Sequence, residues 1–207
     1  MLNKIATRVA YGQTLAKIGD NKNIVVLDAD LSCCTMTTYF SEKYPQRFFN
    51  VGIAESNMMG IGAGLALCGK KVFVNSFAMF SAGRAFEQIR NSIAYPNLNV
   101  TVIGSHSGIT VGKDGATHQC IEDISLMRTI PNMTVLCPAD GVETKKTVEW
   151  LCDYNGPAYL RLSRLEVENI CDYDSITIGK ATTMRNGNDV TIIACGLMVQ
   201  QALKAAT

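Results

Sequence analysis

Short apolar runs alternate with longer segments of helical spacing along most of this 207-residue chain. Strands that alternate with helices indicate a parallel sheet with helices on both faces. The predicted strands are residues 23–28, 48–51, 71–74, 99–104, 133–136 and 158–162, and the predicted helices are residues 3–19, 37–44, 55–68, 77–94, 121–129 and 141–152. We therefore predict a doubly wound, mostly parallel α/β domain whose ligands bind beyond the carboxyl ends of the strands.

The chain changes character after this alternating region. Residues 166–188 are polar and irregular, whereas residues 190–196 predict a new strand and residues 199–206 a new helix. One strand and one helix cannot bury a core by themselves. We therefore expect a main domain at 1–165, a linker at 166–188 and the start of a truncated second domain at 189–207. A tail that packs on the first domain is the alternative.

Composition limits the class of protein. The formal net charge is +1, so bulk charge indicates neither a nucleic-acid partner nor an acidic membrane surface. The N-terminal residues lack the apolar core of a signal peptide, and no apolar run approaches the length of a membrane span. The eight cysteines form no C-x-x-C pair. We expect reduced thiols, a cytoplasmic protein and no metal site in this chain.

A lone acid, Glu55, stands where a loop meets a helix rich in small residues. An acid at a helix start commonly does no more than interact favourably with the helix dipole. A catalytic acid is the alternative. The glycines at positions 60, 62 and 64 do not form the G-x-G-x-x-G pattern, so a dinucleotide site is not indicated.

Both histidines of the chain, His106 and His118, lie in one glycine-rich loop and bracket Asp114. Imidazoles there suit proton transfer or recognition of hydroxyl groups, and a metal site is the less favoured alternative. Phe77 and Phe80 are three residues apart and share a helix face. They are either core aromatics or an apolar slot for a heteroaromatic ring.

Two arginines stand at opposite ends of the predicted main domain. Arg8 and Arg164 could bind a phosphate together, because each guanidinium offers a forked pair of donors. Sequence spacing does not show whether the fold brings them together, and each alone is a typical surface charge.

Taken in order, the motifs of the chain resemble those of the pyrimidine-binding domain of transketolases, enzymes that use thiamine diphosphate. The motifs are Gly52-Ile53-Ala54-Glu55, the stretch with Phe77 and Phe80, the loop from His106 to His118, Ile130-Pro131-Asn132-Met133, Pro138-Ala139-Asp140 with Glu143, and Leu162-Ser163-Arg164. The resemblance covers essentially the whole chain. It implies the fold of that domain and the transfer of a two-carbon ketol unit from a ketose phosphate to an aldose phosphate, a reaction of the pentose phosphate pathway.

The resemblance also implies a role for each matched residue that contacts the cofactor. Glu55 would hydrogen-bond the aminopyrimidine ring nitrogen of thiamine diphosphate and act as the catalytic acid. Phe77 and Phe80 would form the pyrimidine pocket. Asp30 would lie near the cofactor across a subunit interface.

The remaining matched residues would contact the sugar. His106 and His118 would serve in catalysis and, with Asp114, would contact substrate hydroxyls or phosphate. Arg8 and Arg164 would bind the substrate phosphate.

One motif of the family is missing from this chain. Transketolases hold the diphosphate through a metal at Gly-Asp-Gly with a later Asn, and this sequence has no Gly-Asp-Gly. With Met1 only seven residues before Arg8, we expect a natural start and a split enzyme. A separate N-terminal diphosphate-binding subunit would hold the Mg²⁺ or Ca²⁺, in a dimer or heterotetramer, and this chain alone would be inactive.

The chain departs from the family pattern at several positions of its loops. These departures are Cys34, Ser107, Lys113 and Ala116. They put the identity of the acceptor sugar in doubt more than the chemistry. The alternatives are a 1-deoxyxylulose-phosphate-synthase-like or other thiamine-dependent transferase, and a non-catalytic α/β subunit that only binds or regulates.

Overall fold

A computed structural model describes residues 4–206 of the chain. The strands are β1 (Lys4–Ala6), β2 (Ile24–Asp28), β3 (Phe48–Asn50), β4 (Lys71–Phe77), β5 (Val100–Ser105), β6 (Thr134–Leu136), β7 (Ala158–Arg161) and β8 (Glu166–Glu168). The α-helices are α1 (Thr7–Ile18), α2 (Ser32–Thr35), α3 (Thr38–Lys43), α4 (Glu55–Leu67), α5 (Phe86–Gln88), α6 (Asp123–Arg128), α7 (Gly141–Asp153) and α8 (Met198–Ala205). Short 3₁₀ turns occupy Pro45–Arg47 and Tyr173–Ser175, and π-helical turns occupy Met79–Arg84 and Ile89–Ala94.

Within the described residues, six strands form one sheet in the order β3-β2-β4-β5-β7-β6, and every pair in it is parallel. Helices cover both faces, which confirms the predicted α/β fold. The strand order reverses between β2 and β4, because β3 lies on one side of β2 and the chain then crosses to the other. Ligands of such sheets bind at this kind of switch point, beyond the carboxyl ends.

Two apolar clusters fill the space between the sheet and its helices. Successive side chains of a strand point to opposite faces, so Val74 lies in the cluster under α4 whereas Phe73 lies in the cluster under α1 and α7. All seven residues of β4 are buried. Burial on both faces explains why the strands are continuous apolar runs rather than alternating ones.

The N-terminal element differs from its prediction. The predicted helix 3–19 begins with the short strand β1, and α1 starts only at Thr7. Strand β1 pairs antiparallel with β8, which lies in the predicted linker, in a register that opposes Lys4 and Glu168. A partner so distant in sequence leaves no local signal. Residue 3 of the predicted helix lies outside the described residues, as do the outer ends of the two predicted domains.

The strand predicted at residues 190–196 is wrong. Residues 190–195 are irregular, and Ile192 and Ile193 are exposed. A strand needs a neighbour for its backbone groups, and no strand within residues 4–206 pairs with this segment. The predicted final helix does form, as α8.

The predicted helix 77–94 is only partly correct. Phe77 still belongs to β4, and much of the following stretch is wound as π-helical turns around the short helix α5. Insertions of this kind in helices frequently occur at functional sites. No helix among residues 4–206 combines the length and the apolar character needed to cross a bilayer.

Candidate active site

Glu55 is the first residue of α4 and lies at the switch point of the sheet. Its side chain is 1% exposed. The hydroxyl of Ser76, from β4, donates to Oε1 at 3.2 Å, and Nη1 of Arg84 donates to Oε2 at 2.7 Å. A buried carboxylate needs such donors, and the helix start adds a favourable dipole. Each carboxylate oxygen has two lone pairs, so the group can accept a further hydrogen bond.

An aromatic slot adjoins this acid. The rings of Phe77 and Phe80 are nearly parallel, with centroids 6.0 Å apart. His106 stacks on Phe77 at 4.0 Å, and His118 meets Phe80 edge-on at 5.1 Å. The guanidinium carbon of Arg84 lies 4.6 Å from the centroid of Phe80, so Arg84 bridges the slot and the acid. The structure therefore brings both phenylalanines and both histidines together.

His106 follows the end of β5 in a left-handed backbone conformation, with φ of 56°. This conformation is uncommon for a residue with a side chain. The imidazole is 3% exposed, and its Nδ1 shares a hydrogen bond of 2.9 Å with the hydroxyl of Ser105. Burial, followed by the charges of Arg8 and Arg164, lowers the pKa of His106 to about 4. The ring is therefore neutral near pH 7 and has Nε2 left for a ligand.

The structure also brings the two distant arginines together. The hydroxyl of Thr7 accepts a hydrogen bond of 2.8 Å from the backbone N–H of Ser163 and lies 3.2 Å from its hydroxyl. These buried contacts join the segments that carry Arg8 and Arg164, and the charge of each arginine acts to lower the pKa of His106. The charge of Arg164 also acts to lower the pKa of Arg8.

The two guanidiniums are held differently. Arg8 donates to the carbonyl oxygen of Cys34 at 2.7 Å, whereas Arg164 donates to the carbonyl oxygen of Val111 in the histidine loop. The Nε of Arg8 is buried and has no hydrogen-bond partner among residues 4–206. This unpaired donor suits an anion.

The two predicted acids, Asp114 and Asp30, have different surroundings. Asp114 is exposed in the histidine loop, and its charge acts to raise the pKa of His106, against the stronger opposing effects. Asp30 is exposed beyond β2 with φ of 64° and accepts a hydrogen bond of 2.8 Å from Asn50. In the described part of the chain, no hydrogen bond or ion pair joins Asp30 to the acid or to the aromatic slot.

Sequence reasoning missed several supporting residues. Ser76, Arg84 and Ser105 contact the predicted site directly. Of these three, only Arg84 could have been found from the sequence, because it lies four residues after Phe80.

Asp28 is fully buried and accepts hydrogen bonds from three groups of the segment that follows β2 and carries Asp30. Those donors are the N–H of Leu31 and the hydroxyls of Thr35 and Thr37, at 2.6, 2.7 and 2.9 Å. Burial raises the pKa of Asp28.

Comparison with known proteins places this geometry in a family. The family model described as "Transketolase, pyrimidine binding domain" matches residues 3–169. The chain belongs to the transketolase family. Transketolases are transferases that depend on thiamine diphosphate, and the match confirms the resemblance found in the sequence.

Relatives of two kinds are similar to the chain. It is 50% identical over 202 residues to a putative transketolase C-terminal section of Methanocaldococcus jannaschii, over 96% of this chain and 64% of that protein. It is 45% identical over 184 residues to the 6-deoxy-6-sulfo-D-fructose transketolase subunit SqwH of a Clostridium species, over 88% of this chain and 57% of that protein. The chain thus spans about three fifths of the length of these curated relatives.

One solved structure agrees closely in both fold and sequence. It is that of a split gene transketolase described as an inactive beta4 tetramer, with a TM-score of 0.88 at 50% identity. The match covers 99% of this chain and 67% of that chain. The chain is therefore a transketolase-like pyrimidine-binding domain.

The residues present fit the thiamine diphosphate that the family implies. The aromatic slot presents the rings of Phe77 and Phe80 beside a buried carboxylate that retains free lone pairs, which suits an aminopyrimidine ring. Among the described residues, no cluster of three His, Cys, Asp or Glu side chains could hold a metal ion.

Proposed function

We propose that this chain is the pyrimidine-binding subunit of a two-subunit transketolase. The enzyme transfers a two-carbon ketol unit from a ketose phosphate to an aldose phosphate, in the cytoplasm. The observation that carries the proposal is the convergence of Glu55, the aromatic slot, two histidines and two arginines at one switch point. The slot, the acid and the cationic pair are what a heteroaromatic cofactor and a phosphorylated sugar require.

In this proposal Glu55 hydrogen-bonds the aminopyrimidine nitrogen, and Phe77 and Phe80 hold the ring. When bound, the cofactor supplies the electron sink for the two-carbon unit. The protein supplies position and charge. Because Arg84 pairs with Glu55 at 2.7 Å, it fixes the position of the carboxylate that would meet the ring.

The sugar lies on the histidine side of the slot. The neutral His106 offers Nε2 to a substrate hydroxyl, because Ser105 occupies Nδ1. His118 and Asp114, from the same loop, contact the remaining hydroxyls. His106 and His118 are also the groups that would move protons during transfer.

The phosphate is bound by Arg8 and Arg164. The charge of Arg164 acts on Arg8, and the Nε of Arg8 is an unused buried donor among residues 4–206. Two forked donors suit a phosphate better than a neutral hydroxyl. Asp30, which lies apart from this cluster, would act across a subunit interface.

A separate diphosphate-binding subunit completes the enzyme in this proposal. It would hold the Mg²⁺ or Ca²⁺ and the diphosphate, because this chain lacks Gly-Asp-Gly. The two subunits would assemble as a heterotetramer. Two observations support this: similar proteins are named as a C-terminal section or a subunit, and a similar structure is called split and inactive.

Reconstitution tests the proposal. The chain is mixed with a diphosphate-binding transketolase subunit, thiamine diphosphate and Mg²⁺, and ketol transfer between sugar phosphates is measured. We expect activity only in the mixture. Glu55→Gln should lower kcat at least about 100-fold, which is roughly 2.7 kcal/mol in the barrier, while the subunits still assemble. Glu42→Gln, at an exposed acid, is the matched control.

Other outcomes separate the alternatives. Carbon dioxide release from pyruvate together with ketol formation would indicate a 1-deoxyxylulose-phosphate-synthase-like reaction. Full activity of Glu55→Gln would remove Glu55 from the mechanism. Assembly without turnover of any donor would favour a non-catalytic subunit.

A further inference from the structure

Two cysteines outside the candidate active site meet at the carboxyl edge of the sheet. Cys137 follows β6 and is half-buried, whereas Cys195 is exposed in the C-terminal segment. The N–H of Gly196 donates to the carbonyl oxygen of Cys137 at 3.1 Å. A Cβ on Gly196 would lie 2.8 Å from the sulfur of Cys137, so this backbone lies directly against that thiol.

The two thiols interact with each other and with a fixed cation. Hydrogen bonding by Cys137 and, after the opposing effect of burial, the charge of Arg161 lower the pKa of Cys195 to about 6. The same contact raises the pKa of Cys137. Arg161 is held in place because its Nε donates to Asp123 at 2.8 Å, and Asp123 is fully buried. The lowered pKa of Cys195 favours its thiolate, the reactive form of cysteine.

Small reagents can reach this pair. The two sulfurs line an open cavity of about 440 Å³ beside α6 and β6. The other residues of its wall are Ile124, Arg128, Met133 and Val135. The cavity lies beside the part of the sheet formed by β6 and not at the β2–β4 switch point, so the pair belongs to a different site.

We propose that Cys137 and Cys195 are a redox-responsive pair that a hydroperoxide converts into a disulfide. The Cys195 thiolate attacks one peroxide oxygen, so that an S–O bond forms and the O–O bond breaks. Sulfur loses two electrons, and the second peroxide oxygen leaves with its substituent as an alkoxide or hydroxide, which takes a proton to become an alcohol or water. The thiol of Cys137 then attacks the sulfenic sulfur, an S–S bond forms, and water leaves with the departing oxygen and the thiol proton.

The disulfide would join the C-terminal segment covalently to the end of β6. In the reduced protein, the backbone hydrogen bond from Gly196 described above holds that segment beside Cys137, and Nε2 of Gln200 donates to the carbonyl oxygen of Glu168 further along the segment. Arg161 also lies near the histidine loop, since a Cβ on Gly108 would lie 3.4 Å from Nη2 of Arg161. Oxidation would therefore fix the C-terminal segment next to Arg161, which also borders the histidine loop.

Peptide mapping of the full chain tests the proposal. The protein is treated with hydrogen peroxide, alkylated and digested with trypsin without reduction. We expect a disulfide-linked pair of peptides, 129–145 and 186–204, that disappears on reduction. Cys195→Ser should abolish it, whereas Cys68→Ser, at another exposed cysteine, should not. Oxidation of wild-type Cys195 to sulfinic acid without the linked pair would overturn the proposal.

A second measurement covers the possibility of misfolding in variants. In Cys137→Ser, verified as folded by circular dichroism, Cys195 should accumulate as a sulfenic acid that dimedone labels. In the untreated wild type at pH 6.5, Cys195 should react with iodoacetamide roughly tenfold faster than an ordinary thiol. The greater thiolate fraction outweighs its lower intrinsic nucleophilicity. Equal rates for Cys195 and Cys68 would contradict the proposal.

Discussion

Arg84 combines two contacts that normally belong to different residues. Its guanidinium pairs with the buried carboxylate of Glu55 and lies over the ring of Phe80. Arg84 itself is 48% exposed, so solvent screens its charge, while Glu55 is almost fully buried. Loss of the ion pair therefore costs more free energy at Glu55 than at Arg84. The Glu55 carboxylate would be left with the weaker hydrogen bond from Ser76.

This asymmetry gives the first prediction. Arg84→Ala should lower the free energy of unfolding by about 1–2 kcal/mol, because a buried charge loses its partner. Urea denaturation at pH 7 measures the loss. Arg90→Ala, at an exposed arginine of the same helical stretch, is the control and should change little. In a Glu55→Gln background the cost of Arg84→Ala should shrink, and an undiminished cost would show that the ion pair is not its source.

His106 gives a prediction about pH. Burial lowers its pKa from 6.5 to about 4, so the unfolded chain binds this proton more tightly than the folded chain. The free energy of unfolding should therefore fall as the pH drops from about 6.5 towards 4, with no contribution from His106 above that range. In His118→Gln, which keeps one imidazole, ¹⁵N NMR should show His106 still neutral at pH 5.5. A midpoint near 6.5 would contradict this prediction.

At the residue scale, the sequence predicted groups with unusual chemistry better than it predicted their supports. Glu55 and the histidines stood out because few residues of their kind share their segments. Arg84, Ser76 and Ser105 are common types whose roles depend on contacts across strands. Local patterns carry no information on such contacts.

Among the elements, α7 shows that a motif of the family can be structural. Asp140 caps this helix through the N–H of Glu143 at 2.8 Å, and Glu143 accepts in return from Ala139 at 2.6 Å. The other carboxylate oxygen of Asp140 accepts from Ile170 and Cys171, at 2.6 and 2.7 Å. One buried side chain thus starts α7 and also holds the segment that follows β8.

Removing this cap should be costly. Asp140→Ala leaves three buried or half-buried N–H groups without their acceptor, so we expect a loss of about 2–4 kcal/mol in the free energy of unfolding. Thermal or urea denaturation measures it. Asp153→Ala, at the exposed far end of α7, is the control and should cost less than about 0.5 kcal/mol. Equal effects of the two substitutions would show that the cap is not the source of the stability.

The elements that the sequence predicted correctly are those with the same apolar surroundings on both faces. Strands β2, β4 and β5 are buried on both faces and are visible as apolar runs. The apolar run at 190–196 has the same appearance, but no strand within residues 4–206 lies beside it, so composition alone gave the wrong prediction. The pairing of β1 with β8 went unnoticed for the opposite reason, since both strands are short and partly polar.

On the scale of the whole molecule, the two ends of the domain meet to form the proposed phosphate site. Arg8 lies in the first turn of α1 and Arg164 follows β7, and the buried Thr7–Ser163 contact joins the two segments. In the reconstituted enzyme, Arg8→Ala and Arg164→Ala should each raise KM for a sugar phosphate about 10- to 100-fold, with a smaller change in kcat. Arg185→Ala, in the exposed irregular segment, should leave KM unchanged.

The Thr7–Ser163 contact can be tested without touching either arginine. Thr7 is 1% exposed, and Thr7→Val keeps its shape but removes the acceptor for the N–H of Ser163. We expect a loss of about 1–2 kcal/mol in the free energy of unfolding. If the Thr7–Ser163 contact also sets the spacing of Arg8 and Arg164, KM for a sugar phosphate should rise while KM for the corresponding unphosphorylated sugar stays the same. A rise in both KM values would assign the effect to general loosening of the site. A change in neither KM value would show that the arginines keep their positions without the Thr7–Ser163 contact.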